Sequence, residues 1–244
     1  MSLGVLGVKQ KIMNLLLGLI FLIGFGILIY PAVSNQWNTY RQSRLIVSYN
    51  KVVNEMEPEV FAEEWERAKS FNDSFVENDI YSDVFGIRET GLKNTDYWKV
   101  LNVAQDGVMG YLSIPKIHIK LAIYHGTEKD VLRTGVGHLN GTKLPIGGEG
   151  THSVLAAHRG TARAKLFTDI NQLEKGDMFY VYVLDEVLAY EVDQVLDMVD
   201  KYDRERLRAA LAIEEGEDYI TLLTCTPYGS NSHRLLVRGS RVPY

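Results

Sequence analysis

At 244 residues, with 46% hydrophobic and 23% charged side chains, the chain is long enough to bury one sizeable core and carry a small appendage. A formal net charge of −5 gives no electrostatic reason to expect a nucleic-acid partner. The single cysteine excludes an intramolecular disulfide, so any extracellular stability must come from packing.

After an N-terminal tail, residues 1–11, every residue from Ile12 to Tyr30 is apolar or glycine apart from Asn14. At ~1.5 Å per helical residue that run crosses a bilayer core. Lys9 and Lys11 precede it, a positive-inside hint from which the following domain is expected outside the cell, although Arg41, Arg44 and Lys51 blunt the bias. Ala32-Val33-Ser34 would suit cleavage of a signal peptide, but the stretch is longer than a usual signal core and favours an uncleaved single-pass anchor over 12–30. In residues 31–69 Leu45, Tyr49, Val52, Val53 and Met56 recur at helical spacing, and Pro58 opens a second helix through Phe61, Trp65 and Ala68. From Ser70 onward periodicity fades and Asn, Asp, Ser and Gly accumulate, so 70–106 reads as a long loop and a connection.

After Gly107 the pattern is that of strands. Ile117, Ile119, Leu121 and Ile123 alternate with His118, Lys120, Ala122 and Tyr124. Further strands are expected over 108–114, 153–157, 178–184, 188–199, 219–224 and 234–238, with short helices over 129–133, 164–173 and 204–210. Short strands of this kind suggest a closed or nearly closed β-barrel over 107–244.

Cys225 ends the apolar run Thr221-Leu222-Leu223-Thr224-Cys225 before the turn Thr226-Pro227-Tyr228-Gly229. A lone cysteine is commonly a small buried hydrophobe. A strand end with flanking hydroxyls and a cation across a short loop is instead a setting that exposes a thiol and favours its thiolate. Arg234 supplies the cation, and His158 on another strand-like run supplies a base. Arg238 lies four residues beyond Arg234, an even spacing that puts both on one strand face. His118, His125, His138, His152 and His233 share no metal-ligand spacing, so neither a metal nor a cofactor is expected, and Gly147-Gly148 lacks the lysine and helix of a phosphate loop.

The stretch Thr221-Leu222-Leu223-Thr224-Cys225 resembles the TLxTC signature of sortases, the cysteine transpeptidases of Gram-positive cell surfaces. Leu155-Ala156-Ala157-His158-Arg159-Gly160 resembles the family's histidine segment, and His233-Arg234-Leu235-Leu236-Val237-Arg238-Gly239 its arginine strand. The likeness runs from about Gly107 to Arg241, and three separated motifs stand in the right order. It implies a mainly β fold, an eight-stranded sortase barrel with short helices, preceded by N-terminal helices, a lid loop and a transmembrane helix. It also implies catalysis by Cys225, His158 and Arg234, with Thr224 supporting the cysteine strand and Arg238 a structural or surface residue.

Asp83-Val84-Phe85 resembles the Asp-Pro-aromatic lid of class C, or pilus, sortases, with Val84 in place of the proline. The resemblance implies that Asp83 pairs with Arg234 and that Phe85 packs over Cys225. It further implies cleavage of an LPxTG-like sorting signal between Thr and Gly, and transfer of the acyl group to a pilin lysine at the membrane. Class C members commonly carry a second membrane helix after the barrel, which the sequence to Tyr244 does not contain, so either the chain is longer or its N-terminal anchor serves alone. The alternatives are a housekeeping sortase attaching surface proteins to peptidoglycan, a hydrolytic cysteine protease, and a scaffold on the same fold.

Overall fold

The computed structural model describes residues 3–75, 85, 92–161 and 163–244, with the side chains of all of these except residues 3–8 and 94. Most of the expected lid, Asp83 included, lies outside the described residues, whereas Phe85 lies within them.

Helix α1, Leu3–Asn54, is one unbroken helix of 52 residues with Pro31 inside it, where the sequence suggests a membrane span followed by separate helices. Its N-terminal part has a mean hydropathy of 2.7 with no residue of that window buried, and is a candidate membrane span. Beyond the span the helix becomes amphipathic and buries Asn38, Gln42, Ile46, Tyr49 and Val53, spaced by three and four residues, against the barrel. Gln42 clamps the two together: its Nε2 donates to the Thr134 carbonyl at 2.7 Å, and its Oε1 accepts from the Ala122 N–H at 2.7 Å. Tyr49 does the same further along, donating to the Met109 carbonyl at 3.1 Å and accepting from the Leu184 N–H at 2.8 Å.

Helix α2, Pro58–Asp73, starts on a proline whose missing N–H costs nothing at that position, and runs past the expected end at 69. It buries Glu64, Ala68 and Asn72. Asn72 holds the chain at Leu144 from both sides of its amide, at 3.3 Å and 2.7 Å. A four-residue helix α3, Asp96–Lys99, precedes the barrel.

Eight strands form a closed barrel. They are β1 (Val108–Ile114), β2 (Ile119–His125), β3 (Val136–His138), β4 (Thr151–Ala156), β5 (Met178–Val183), β6 (Glu186–Asp200), β7 (Asp218–Thr226) and β8 (His233–Val242). The order around the barrel is β1-β2-β3-β4-β7-β8-β6-β5. The β2–β3 and β4–β7 pairs are parallel and the rest antiparallel. Helix α4, Lys129–Leu132, falls inside the expected 129–133, and α5, Arg204–Leu211, covers the expected 204–210.

Alternation sorts the side chains onto two cores. Ile220 and Leu222 of β7 with Leu235 and Val237 of β8 fill the barrel. Leu223 of β7 and Leu236 of β8, with Val154 and Ala156 of β4, form a second cluster on the outer wall, joined by Ala210 and Leu211 of α5.

The antiparallel pairings bring the ends of β1, β4, β6 and β7 and the starts of β2, β5 and β8 to one mouth of the barrel. The segment leaving β4 at that mouth meets α1 just past the apolar span. There Ser34 donates to the Arg163 carbonyl at 3.3 Å, and Asn35 accepts from the Lys165 N–H at 2.8 Å. Tyr49 and α2 pack toward the opposite mouth, where β1 starts and β5 ends.

Candidate active site

Three neighbouring strands set out the site. In the antiparallel β7–β8 pair Cys225 stands opposite Arg234. The parallel β4–β7 register holds a constant offset of 67 residues from Thr151↔Asp218 to Ala156↔Leu223, and just beyond β4 that offset sets His158 level with Cys225. Contacts past the strand end keep it. The Ala157 N–H donates to the Leu223 carbonyl at 3.2 Å, Thr224 Oγ1 donates to the Ala157 carbonyl at 2.7 Å, and Arg159 Nη1 donates to Thr226 Oγ1 at 2.6 Å. The result is a lateral row: His158 from the segment just past β4, Cys225 from β7 and Arg234 from β8.

Parity gives the row its direction. Cys225 and Arg234 share their faces with Leu223 and Leu236, so the row lies on the outer wall beside the apolar cluster and not in the barrel interior. Cys225 is only 8% exposed and Arg234 only 2%, while His158 is half-buried, so the thiol is shielded from bulk solvent. Cys225 Sγ donates to Asn231 Oδ1 at 3.3 Å. Asn231 was readable only as part of the β7–β8 loop, and its nearness to the cysteine along the chain was the sole signal. Arg234 Nη1 donates to the His233 carbonyl at 2.8 Å.

Phe85 reaches this row from the segment before the barrel. Its ring lies 5.6 Å from the His158 ring, tilted by 32°, and the Arg234 guanidinium carbon lies 5.0 Å from its centre. Phe85 also packs on the outer cluster. Burial lowers the pKa of His158 below the ordinary imidazole value, and the charges of Arg133 and Lys129 act in the same direction. The imidazole is therefore neutral around pH 7, able to accept a proton or to pass one on.

Thr224 does not face the thiol. It is fully buried and ties β7 to the end of β4, fixing the backbone from which His158 projects. Thr221, four residues before the cysteine, bonds His152 Nε2 at 2.8 Å inside the structure. Arg238 shares the Arg234 face but is engaged elsewhere: it pairs with Asp193 at 2.5 Å and Glu214 at 3.2 Å and lies 4.0 Å over the Tyr219 ring.

His138 and His125 are engaged by partners outside the row. His138 is fully buried between the Tyr97 hydroxyl and the Lys143 carbonyl, each 2.8 Å away, and burial takes its pKa down to about 4. His125 sets its ring nitrogens against the Gly107 and Val100 carbonyls at 2.9 and 2.7 Å. Among the described residues no group of three His, Cys, Asp or Glu side chains is placed to hold a metal ion.

A shielded thiol between a neutral imidazole and a fixed guanidinium can form and break an acyl-thioester. Comparison with known proteins agrees with that chemistry. Residues 112–242 match the Sortase domain model. The chain is similar to the solved sortase C of Streptococcus pneumoniae at 43% identity, covering 82% of this chain and 97% of that one with a TM-score of 0.75. It is similar to sortase C1 of Streptococcus agalactiae at 43% identity, covering 82% and 99% with a TM-score of 0.71. Sortase A of Bacillus anthracis is 30% identical over 150 residues, 60% of this chain and 67% of that protein. The chain belongs to the sortase family of cysteine transpeptidases.

Proposed function

We propose that the chain is a membrane-anchored pilus sortase. On this reading it cleaves an LPxTG-like sorting signal between Thr and Gly and transfers the acyl group to a pilin lysine outside the cell. The neutral His158 takes the Cys225 thiol proton as the sulfur attacks the threonine carbonyl carbon, and the C–N bond to glycine breaks as His158 passes that proton to the departing amine. Arg234 donates hydrogen bonds to the oxyanion or to the substrate backbone beside it. The thioester then meets the lysine amine. His158 takes up the amine proton as the new amide forms and the C–S bond breaks, and returns it to the departing sulfur, restoring the thiol.

Phe85 acts as the aromatic part of a lid: its ring covers His158 and Arg234, so a sorting signal must displace it. Asp83, outside the described residues, would complete the lid by pairing with Arg234. The pilus assignment is supported by the Streptococcus pneumoniae sortase C, whose structure concerns pilin substrate specificity, and by the sortase C1 of a Group B Streptococcus pilus island, 37% identical with a TM-score of 0.71.

The observation that carries the reading is the row of His158, just past the end of β4, with Cys225 of β7 and Arg234 of β8. The test incubates the full chain in detergent with pilin bearing the sorting signal and follows covalent products by mass spectrometry. Amide-linked pilin that disappears with Cys225→Ala supports the proposal. Free acid alone, even with lysine-bearing pilin in excess, would make the chain a hydrolase.

A further inference from the structure

Beyond the apolar span, α1 shows two opposite faces. At ~100° per residue Asn38, Gln42, Ile46, Tyr49 and Val53 point to the barrel, and Val33, Trp37, Tyr40 and Arg44 fall together on the other side of the wheel. That outer face is uncovered: Val33 is 60% exposed, Trp37 63% and Tyr40 52%. Trp37 and Tyr40 stand with ring centres 5.9 Å apart, and the Arg44 guanidinium lies 6.0 Å over the Tyr40 ring. In a chain of net charge −5, α1 contains no Asp or Glu, while Lys9, Lys11, Arg41, Arg44 and Lys51 all lie on it.

The position along the helix says what covers this face. A hydrocarbon layer of ~30 Å takes about 20 helical residues, which counted from Leu15, the first residue past the polar Asn14, ends at Ser34, four residues beyond the anchor expected over 12–30. Trp37 then stands ~5 Å beyond the hydrocarbon, within a headgroup layer of ~5–7 Å, while the backbones of Tyr40 at ~9 Å, Arg41 at ~11 Å and Arg44 at ~15 Å stand above that layer and approach it through their long side chains. Side chains on a helix lean toward its N-terminus, here toward the bilayer. Tryptophan and tyrosine are favoured at that depth, and arginine complements phosphate there.

The barrel is fastened to α1 at the same height. Ser34 and Asn35, at the edge of the span, bind the main chain of Arg163 and Lys165. Arg163 and Lys165 are exposed, and their segment leaves β4 through His158 at the mouth where β7 ends in Cys225. We propose that Trp37, Tyr40, Arg41 and Arg44 of α1, with Arg163 and Lys165 of the barrel rim, form one surface that rests in the headgroup layer of an anionic bilayer, so that the catalytic mouth of the barrel faces the membrane. The covalent continuity of α1 with the span and its lack of acids single out the lipid surface over a second copy of the chain.

The test uses the full chain carrying Cys225→Ala, with one new cysteine at Trp37→Cys, Arg163→Cys or Glu149→Cys. Glu149 is exposed at the opposite mouth, beside the start of β4 and β7. Each variant carries an environment-sensitive fluorophore and is reconstituted in vesicles of phosphatidylcholine with phosphatidylglycerol. Nitroxide lipids labelled at the headgroup should extinguish most of the fluorescence at positions 37 and 163, and aqueous iodide should extinguish most of it at 149. Iodide quenching at 37 and 163 as strong as at 149 overturns the proposal. Shielding at 37 that fades as the protein is diluted into more lipid overturns it in favour of helix pairing between two copies. Neither readout depends on catalysis by Cys225.

Discussion

Phe85→Ala removes the ring that lies against His158 and Arg234, and the size of the effect follows from those two contacts. The Arg234 guanidinium sits 5.0 Å from the ring centre and is 2% exposed, so this cation–π contact is largely desolvated and stabilises by about 1–2 kcal/mol. The tilted pair with His158 at 5.6 Å adds about 0.5–1.5 kcal/mol. Discounting for non-additivity, the covered state loses about 2 kcal/mol, which moves a covered-to-open equilibrium by roughly 30-fold. Alkylation of Cys225 by a small neutral reagent such as iodoacetamide should therefore accelerate by about that factor, while Phe85→Leu, which keeps bulk but not the π face, should give an intermediate rate. An Ala variant with unchanged circular dichroism and an unchanged alkylation rate would refute the reasoning. It would mean that the ring packs on the outer wall without gating the thiol.

Arg234→Lys keeps the charge but loses the planar fork opposite Cys225, and should lower kcat by about a hundredfold with little change in KM; equal loss through KM alone would move Arg234 from transition-state to ground-state binding. Thr224→Val is isosteric and strands the Ala157 carbonyl, so a loss of about 1–3 kcal/mol in thermal unfolding should accompany a fall in kcat; a stable but inactive variant would contradict a role through the backbone of His158. His138 gives a pH prediction. Its folded pKa of about 4 lies below the ordinary 6.5, so between these values the unfolded chain binds the extra proton. Stability contributed by the neutral ring is then full above about pH 6.5 and is lost as pH falls toward 4, by up to about 3 kcal/mol. Denaturant melts of His138→Gln across this window should show a shallower slope than the parent chain.

The barrel strands are legible where side chains alternate, as in β5, whose positions run half-buried and buried in turn; β2 alternates in residue type even though Leu121, Ala122 and Ile123 are all buried. β3 is not legible, because Val136–His138 is three residues long, all buried, and begins among glycines. The helix expected over 164–173 is a set of turns ending in a single short helix at Ile170–Gln172. Leu166 takes a φ of 45°, which no helix permits, and the Phe167 N–H reaches back to the His158 carbonyl at 3.2 Å. Tertiary anchoring to the active-site segment there outweighs an apolar pattern that would suit a helix.

The site divides in the same way. Motif and residue type picked out Cys225, His158 and Arg234, but nothing local fixes a parallel register between β4 and β7, which lie far apart in the chain. The offset that levels His158 with Cys225 exists only once the barrel is closed. Asn231, the acceptor beside the thiol, and the Thr221–His152 bond likewise have no signature in composition or spacing.

The central claim is acyl transfer through Cys225. Its most direct test is the intact mass of the full chain mixed rapidly with an LPxTG-type peptide, before and after addition of a lysine-bearing acceptor. A mass increase equal to the acyl fragment ending in threonine, mapped to Cys225 and discharged into an amide when the acceptor arrives, is the predicted result. Product formation with no adduct on Cys225, or undiminished turnover by Cys225→Ala, would contradict the account.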